Sequence, residues 1–322
     1  MSRFVFNRAL QSALVLLVMS FVIYGLMCLM PGDPIDLMIT SDPKITTEDA
    51  ARLRALYGLD TPITERYWHW LMGALSGNFG YSRMFAQPVF QIIWPALGNT
   101  AILLGLSFVL ALVIALPLGA LAAIRPYSKL DYSINLFLFA GISVPPFWLA
   151  LLLITLFSMV FGILPAGGTA QAAGVDEFWE SAKYLILPIA SLTIASIGGH
   201  ARYMRASMIE TLRHYFIRTA RAKGLSPWQV ITGHALRNAL IPVVTVIALD
   251  FGFLFSGALV TETIFAYPGM GKLIFDAIMG NDYNLALITL LFATALTLLG
   301  NFMADLAYNT LDPRLSFKDM DA

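Results

Sequence analysis

The chain has 322 residues, 58% of them hydrophobic and 12% charged, with a mean hydropathy of +0.74 and a formal net charge of zero. So much apolar surface excludes a water-soluble globular domain, and the lack of net positive charge leaves nucleic-acid binding without support. The charges are sorted by position rather than mixed, so the local sign of each connection carries the information.

Arg3 and Arg8 precede an apolar run from about Ala9 to Met30. At about 21 residues it exceeds a typical signal-peptide core, and no small-x-small cleavage site stands before Pro31-Gly32-Asp33-Pro34. An uncleaved membrane anchor with its N-terminus inside is expected. Cys28, the lone cysteine, lies within this run and reads as a small core residue rather than a reactive thiol. Met27 before it argues against a lipoprotein signal.

The next segment, about Pro31 to Ala96, is too polar for lipid and too sparsely apolar for an independent domain. Thr46-Thr47-Glu48-Asp49-Ala50 predicts a capped helix running to about Tyr57 and ended by Gly58. Tyr67, Trp68 and Trp70 predict an interfacial helix, because phenol and indole rings favour the headgroup level.

Five further apolar runs are long enough to cross a bilayer: about Thr100 to Ile124, Ile134 to Phe161, Tyr184 to Met204, Ala239 to Val260 and Leu285 to Tyr308. Six crossings return the C-terminus to the inside. Inside segments would then hold Arg3, Arg8, Arg125, Lys129, Arg314, Lys318 and the basic loop described next, as the positive-inside rule requires. The two short outside loops are acidic on balance, with Asp176, Glu177 and Glu180 against Lys183, and Glu262, Asp276 and Asp282 against Lys272. Pro117, Pro145-Pro146 and Pro242 fall within spans and predict kinks or hinges.

Between the fourth and fifth spans, His200 to Arg237 holds Arg202, Arg205, Arg213, Arg218, Arg221, Lys223 and Arg237 against one acid, Glu210. Gly224 can end a helix, and Ser226-Pro227-Trp228-Gln229 reads as a new start with an N-cap, a first-turn proline and a capping box. Helix, corner and second helix on the inner face look like a docking part. A basic loop resting on anionic headgroups would account for the charge but not for the break and cap.

Gly269-Met270-Gly271-Lys272 is not a phosphate loop: Ala266 stands where the first glycine is needed and Leu273 where a hydroxyl is needed. A turn re-entering the membrane surface after Tyr267-Pro268 is expected. No His-Glu-x-x-His, Gly-x-Ser-x-Gly or metal-spaced cysteine pair is present. His200, His214 and His234 fall in the basic region and His69 near the outer interface, so no protease or zinc set is visible. Two acids lie in spans. Asp305 is expected near the inner interface, while Asp250 is deeper and faces either a translocation pathway or a partner helix.

Three groups of residues carry a family resemblance. The first is Arg8, an apolar helix and Pro31-Gly32-Asp33-Pro34, then Tyr57-Gly58-Leu59-Asp60 and Pro62. The second is Arg218-Thr219-Ala220-Arg221-Ala222-Lys223-Gly224 continuing to His234-Ala235-Leu236-Arg237-Asn238. The third is Thr261-Glu262-Thr263-Ile264-Phe265, Tyr267-Pro268-Gly269-Met270-Gly271 and Leu311-Asp312-Pro313-Arg314. In order and spacing, over nearly the whole chain, they resemble the membrane subunits of binding-protein-dependent ABC importers of the dipeptide, oligopeptide and nickel branch. Arg218 replaces the acid of the general importer loop pattern, and His234 through Arg237 replace its closing Ile-x-Leu-Pro.

The resemblance implies an all-α polytopic fold with six transmembrane helices, of the type I ABC importer permease kind. It implies a first transmembrane helix at 1–30, an extracytoplasmic segment with interfacial helices at 31–96, a five-helix core at 97–308 and a cytoplasmic tail at 309–322. It also implies that the loop at about 205–237 is an ATPase-coupling loop, built on Arg218, Thr219, Ala220, Arg221, Ala222, Lys223, Gly224, Ser226, Pro227, His234, Arg237 and Asn238. The chain would be no enzyme and bind no cofactor or metal, ATP being used by partner subunits. The expected partners are a second homologous permease subunit, two cytoplasmic ATP-binding subunits, an extracytoplasmic substrate-binding protein and the lipid bilayer. The expected location is a bacterial or archaeal cell membrane, the inner membrane in a Gram-negative cell, with both termini cytoplasmic. The substrate would be dipeptides or oligopeptides, with nickel chelates, glutathione or sugar conjugates as alternatives. An ion-driven secondary transporter is the rival from another class; it calls for paired midplane carboxylates or repeats, and only Asp250 is deep.

Overall fold

The structure is a computed structural model that describes residues 2–29, 49, 61–174, 177–251 and 258–311. The expected features at 31–34, 57–60 and 312–314, and all of the expected 46–58 helix except Asp49, lie outside the described residues. Among the described residues everything regular is helical, apart from one isolated bridge between Tyr81 and Pro88.

In chain order the helices are α1 (Ser2–Leu29), α2 (Ile63–Leu75), α3 (Val89–Ile124), α4 (Lys129–Ser143) and α5 (Pro146–Leu153, widening into a π-helical stretch over Ile154–Val160). Then come α6 (Phe178–Leu212), α7 (Tyr215–Ala222) and α8, which joins Pro227–Gln229, a π-helical stretch over Val230–Ala235 and Leu236–Phe251. The last are α9 (Leu259–Ile264), α10 (Met270–Met279) and α11 (Tyr283–Leu311). Among the described residues, five stretches are long and apolar enough to cross a membrane: Phe6–Leu29, Val89–Ile124, Trp179–Leu212, Pro227–Ile247 and Tyr283–Met303. A sixth exists if α4 and α5 form one span bent by 98°.

That bend replaces the simple kink expected at Pro145-Pro146, and its cause is local. A residue before proline is pushed out of the α region, and here two such residues are consecutive. Val144 has ψ 126° and Pro145 has ψ 134°, so the chain leaves α4 extended before Pro146 opens α5. Pro117 and Pro242 lie inside continuous helices. Two spans are also longer than expected. Helix α3 begins at Val89 and holds Pro95, and α6 continues past Arg205 to Leu212.

Long α3 joins two cores about 40 Å apart, at the 1.5 Å rise of a helix. At one end Val89, Ile93 and Ala96 pack with Met270, Leu273, Ala277 and Leu285. At the other, Ala123 packs with Met204, Met208, Ile217, Ala220, Val230 and Ala239. Between them α3 lies closely on α6. At Gly119 an added Cβ would stand 2.4 Å from the Ala201 carbonyl oxygen, the small-residue contact that lets membrane helices approach. The predicted aromatic helix α2 exists, but its rings divide. Tyr67 hydrogen-bonds Ser20 of α1 at 2.8 Å and stacks with Trp70 beside Tyr24, leaving Trp68 exposed.

Candidate functional site

The basic corner between α6 and α8 is built as its sequence requires. Helix α7 buries Ile217 and Ala220 against Met204, Met208 and Val230, while Arg218, Thr219, Arg221, Ala222 and Lys223 are exposed. Ala220 therefore packs inward and offers no surface to a partner. The helix ends in a paired C-terminal motif: Leu225 N–H donates to Ala220 O at 3.4 Å and Gly224 N–H to Arg221 O at 3.0 Å. Such an ending needs a left-handed residue, and Gly224 has φ +81°.

One residue later the capping box closes. Ser226 N–H donates to Gln229 Oε1 at 2.9 Å and Gln229 N–H to Ser226 Oγ at 3.4 Å. Pro227 occupies the first turn, and Trp228 stands 69% exposed at the tip. The new helix runs on as α8 into the apolar bundle, so the second arm of the corner is the foot of a membrane-length helix. His234, Arg237 and Asn238 are exposed along that foot, with Asn238 Nδ2 donating to His234 O at 2.7 Å. Ser207 Oγ donates to Ala239 O at 2.7 Å and ties α6 to α8 just above the corner. The exposed positions form a broad basic and aromatic face, with Tyr215 beneath the Arg218 guanidinium at 5.4 Å.

Arg205 does not belong to this exposed charge. It makes a two-pronged pair with Asp131, Nε to Oδ1 at 2.7 Å and Nη2 to Oδ2 at 2.6 Å. Asp131, only 2% exposed, also accepts from Tyr127 N at 2.8 Å and Asn135 Nδ2 at 2.6 Å. The pair was not foreseen, although Ser128 three residues before Asp131 is a capping signal, and Ser128 Oγ does accept from Asp131 N.

At the far end of the bundle, two of the acids counted in the loops expected to lie outside are buried. Glu262 is 0% exposed. Its carboxylate accepts from Thr100 Oγ1 at 2.6 Å and Lys272 N at 3.0 Å, at the start of α10. Thr100 Oγ1 in turn accepts from Met270 N at 2.8 Å. A Cβ at Gly269 would fall 2.4 Å from the carboxyl carbon, so the glycines of Gly269-Met270-Gly271-Lys272 admit the chain's own anion to a helix N-terminus. Nearby Tyr267, outside the spans, donates to Asn99 O at 3.2 Å, and burial pushes its phenol up to about 12. Asp282 is 2% exposed and accepts from Ser82 Oγ at 2.6 Å and Met84 N at 3.0 Å. Asp276 pairs with Lys272. Glu262 and Asp282 therefore clamp this end of the bundle, through partners more than 160 residues away in sequence.

Asp250 lies in α8 with its side chain 43% exposed, facing His200 Nδ1 of α6 at 3.6 Å. Asp305 lies on α11, and its side chain is outside what is described. Among the described residues no cluster of three or more His, Cys, Asp or Glu could hold a metal ion.

A family model described as "Binding-protein-dependent transport system inner membrane component" matches residues 115–317, and one described as "Binding-prot-dependent transport system membrane comp, N-term" matches residues 1–104. The chain is 37% identical to the oligopeptide transport system permease protein AppB of Bacillus subtilis, over 98% of this chain and 100% of that protein. It is 36% identical to the oligopeptide transport system permease protein OppB of Haemophilus influenzae, over 98% and 100% respectively. Among solved structures, an inward-facing MetNI methionine ABC transporter chain superposes with a TM-score of 0.57 at 19% identity, covering 70% of this chain and 98% of that one. At that identity the likeness speaks for the fold alone.

Proposed function

The chain belongs to the family of binding-protein-dependent transport system inner membrane components, and from that membership we propose that it carries dipeptides or oligopeptides through half of the membrane pathway of an ATP-driven importer. It is a multi-pass membrane subunit with the all-α type I ABC importer permease fold, and ATP hydrolysis belongs to its partner subunits. End-to-end identity to oligopeptide permease proteins is the observation that carries the peptide assignment.

The finer reading concerns how the parts work together. The Gly224 corner faces the cytoplasm and docks in a groove of an ATPase subunit, with Arg218, Thr219, Arg221, Ala222, Lys223 and Trp228 on the docking face. His234, Arg237 and Asn238 flank it on the foot of α8. Gly224, Ser226 and Pro227 shape the corner, and Ala220 anchors it. The basic charge on this face supports the orientation, with both termini inside. Two ATPases, a second homologous permease subunit and an external binding protein complete the assembly. Closure of the ATPases then shifts the population between inward-open and outward-open states, because they bind the two states unequally. The capped break is the feature that favours docking over simple headgroup attraction. Asp250 faces the pathway.

ATP-dependent uptake of a labelled peptide into vesicles holding the full complex tests this, comparing the intact chain with Gly224→Pro. Uptake and ATPase association are expected to be lost together in the variant. Unchanged uptake would sink the docking role of the corner.

A further inference from the structure

The acids inside the described bundle are not equally committed. Asp131 and Glu262 are satisfied on every side, by a guanidinium and two further donors in one case and by a hydroxyl and a helix N-terminus in the other. Asp250 is placed differently. Its side chain keeps 43% exposure, and the partner shown for it among the described residues is His200 Nδ1 at 3.6 Å. That separation exceeds a hydrogen bond, and it is an ångström longer than the 2.6 Å contact of Arg205 with Asp131. His200 is itself pinned, its side chain 9% exposed and its ring edge-on to Phe108 at 5.7 Å. It faces the carboxylate without closing on it.

An ionisable group at membrane depth is placed toward a partner or a water-filled path. A carboxylate buttressed on one side and 43% exposed is arranged to receive a cation. Resting on the reading of this chain as half of a peptide pathway, we propose that Asp250 contacts the substrate directly, its carboxylate oxygens taking the protonated amino terminus of a passing peptide. The ammonium supplies the opposite charge and three N–H donors, so the contact is charge-assisted. Because a single half-exposed carboxylate holds it, the ion is gripped weakly enough to move on, as conduction requires.

The test uses vesicles with the complete transporter and a labelled tripeptide in free and N-acetylated forms, each loaded to saturation on the external binding protein. The intact chain is expected to move the free form faster at saturation by at least about tenfold, the low end of the value of one hydrogen bond to a charged group. Asp250→Asn brings that ratio toward one while complex assembly stays intact, and Asp250→Glu preserves it. An unchanged ratio in Asp250→Asn overturns the proposal. So does loss of the second permease subunit from the Asp250→Asn complex, which would make Asp250 half of an intersubunit ion pair. Vesicles of the intact chain that take up neither form under ATP would instead overturn the peptide-importer reading on which the proposal rests.

Discussion

Single residues in this chain carry two kinds of charge, and they answer differently to substitution. Glu262 holds Thr100 and the start of α10 from a fully buried position. Glu262→Gln keeps the volume but loses the charge-assisted bonds, so it is expected to destabilise the purified protein by about 2–4 kcal/mol, read as a lowered unfolding temperature. Buried Asp131 and half-buried Arg205 form the second unit. Asp131→Asn leaves a partly solvated guanidinium without its counter-ion and is expected to cost about 1.5–3 kcal/mol. A double-mutant cycle with Arg205→Gln should return most of that as coupling energy, and strictly additive single effects would show that the pair is not a unit.

Elements show what was legible in the amino-acid order and what was not. The corner was readable because its instructions are local: Gly224 needs a left-handed φ, and Ser226 and Gln229 lie three residues apart. Ser226→Ala is expected to destabilise the start of α8 by about 1 kcal/mol, visible as faster amide exchange confined to the corner. Pro145-Pro146 announced a bend but not a 98° one, since its size depends on two extended residues in succession. The burial of Glu262 and Asp282 was not legible, because nothing beside them in sequence signals Thr100 or Ser82. The α3–α6 contact was equally silent, being a match of two small surfaces. Gly119→Val drives a side chain into the Ala201 carbonyl and is expected to cost at least about 1–3 kcal/mol, measured as reduced yield of folded protein and a lower melting temperature.

At the scale of the whole molecule, the two cores sit at opposite ends of α3. The one built around Met204, Met208 and Val230 is assembled largely from neighbours in sequence, and the one around Ile93 and Met270 is not. Thr100 meets residues 162 and 170 positions later, and Ser82 one 200 positions later. At about 5–20 residues per second of synthesis, the early half of those contacts waits roughly ten to forty seconds for its partners to emerge. Nascent chains stopped before Glu262 therefore lack the partner that closes the Thr100 end of α3, while the residues of the Gly224 corner have already been made. Biogenesis of this subunit is thus ordered in time as well as space: the corner proposed to meet the ATPase can close first, and the end of the bundle held by Glu262 last.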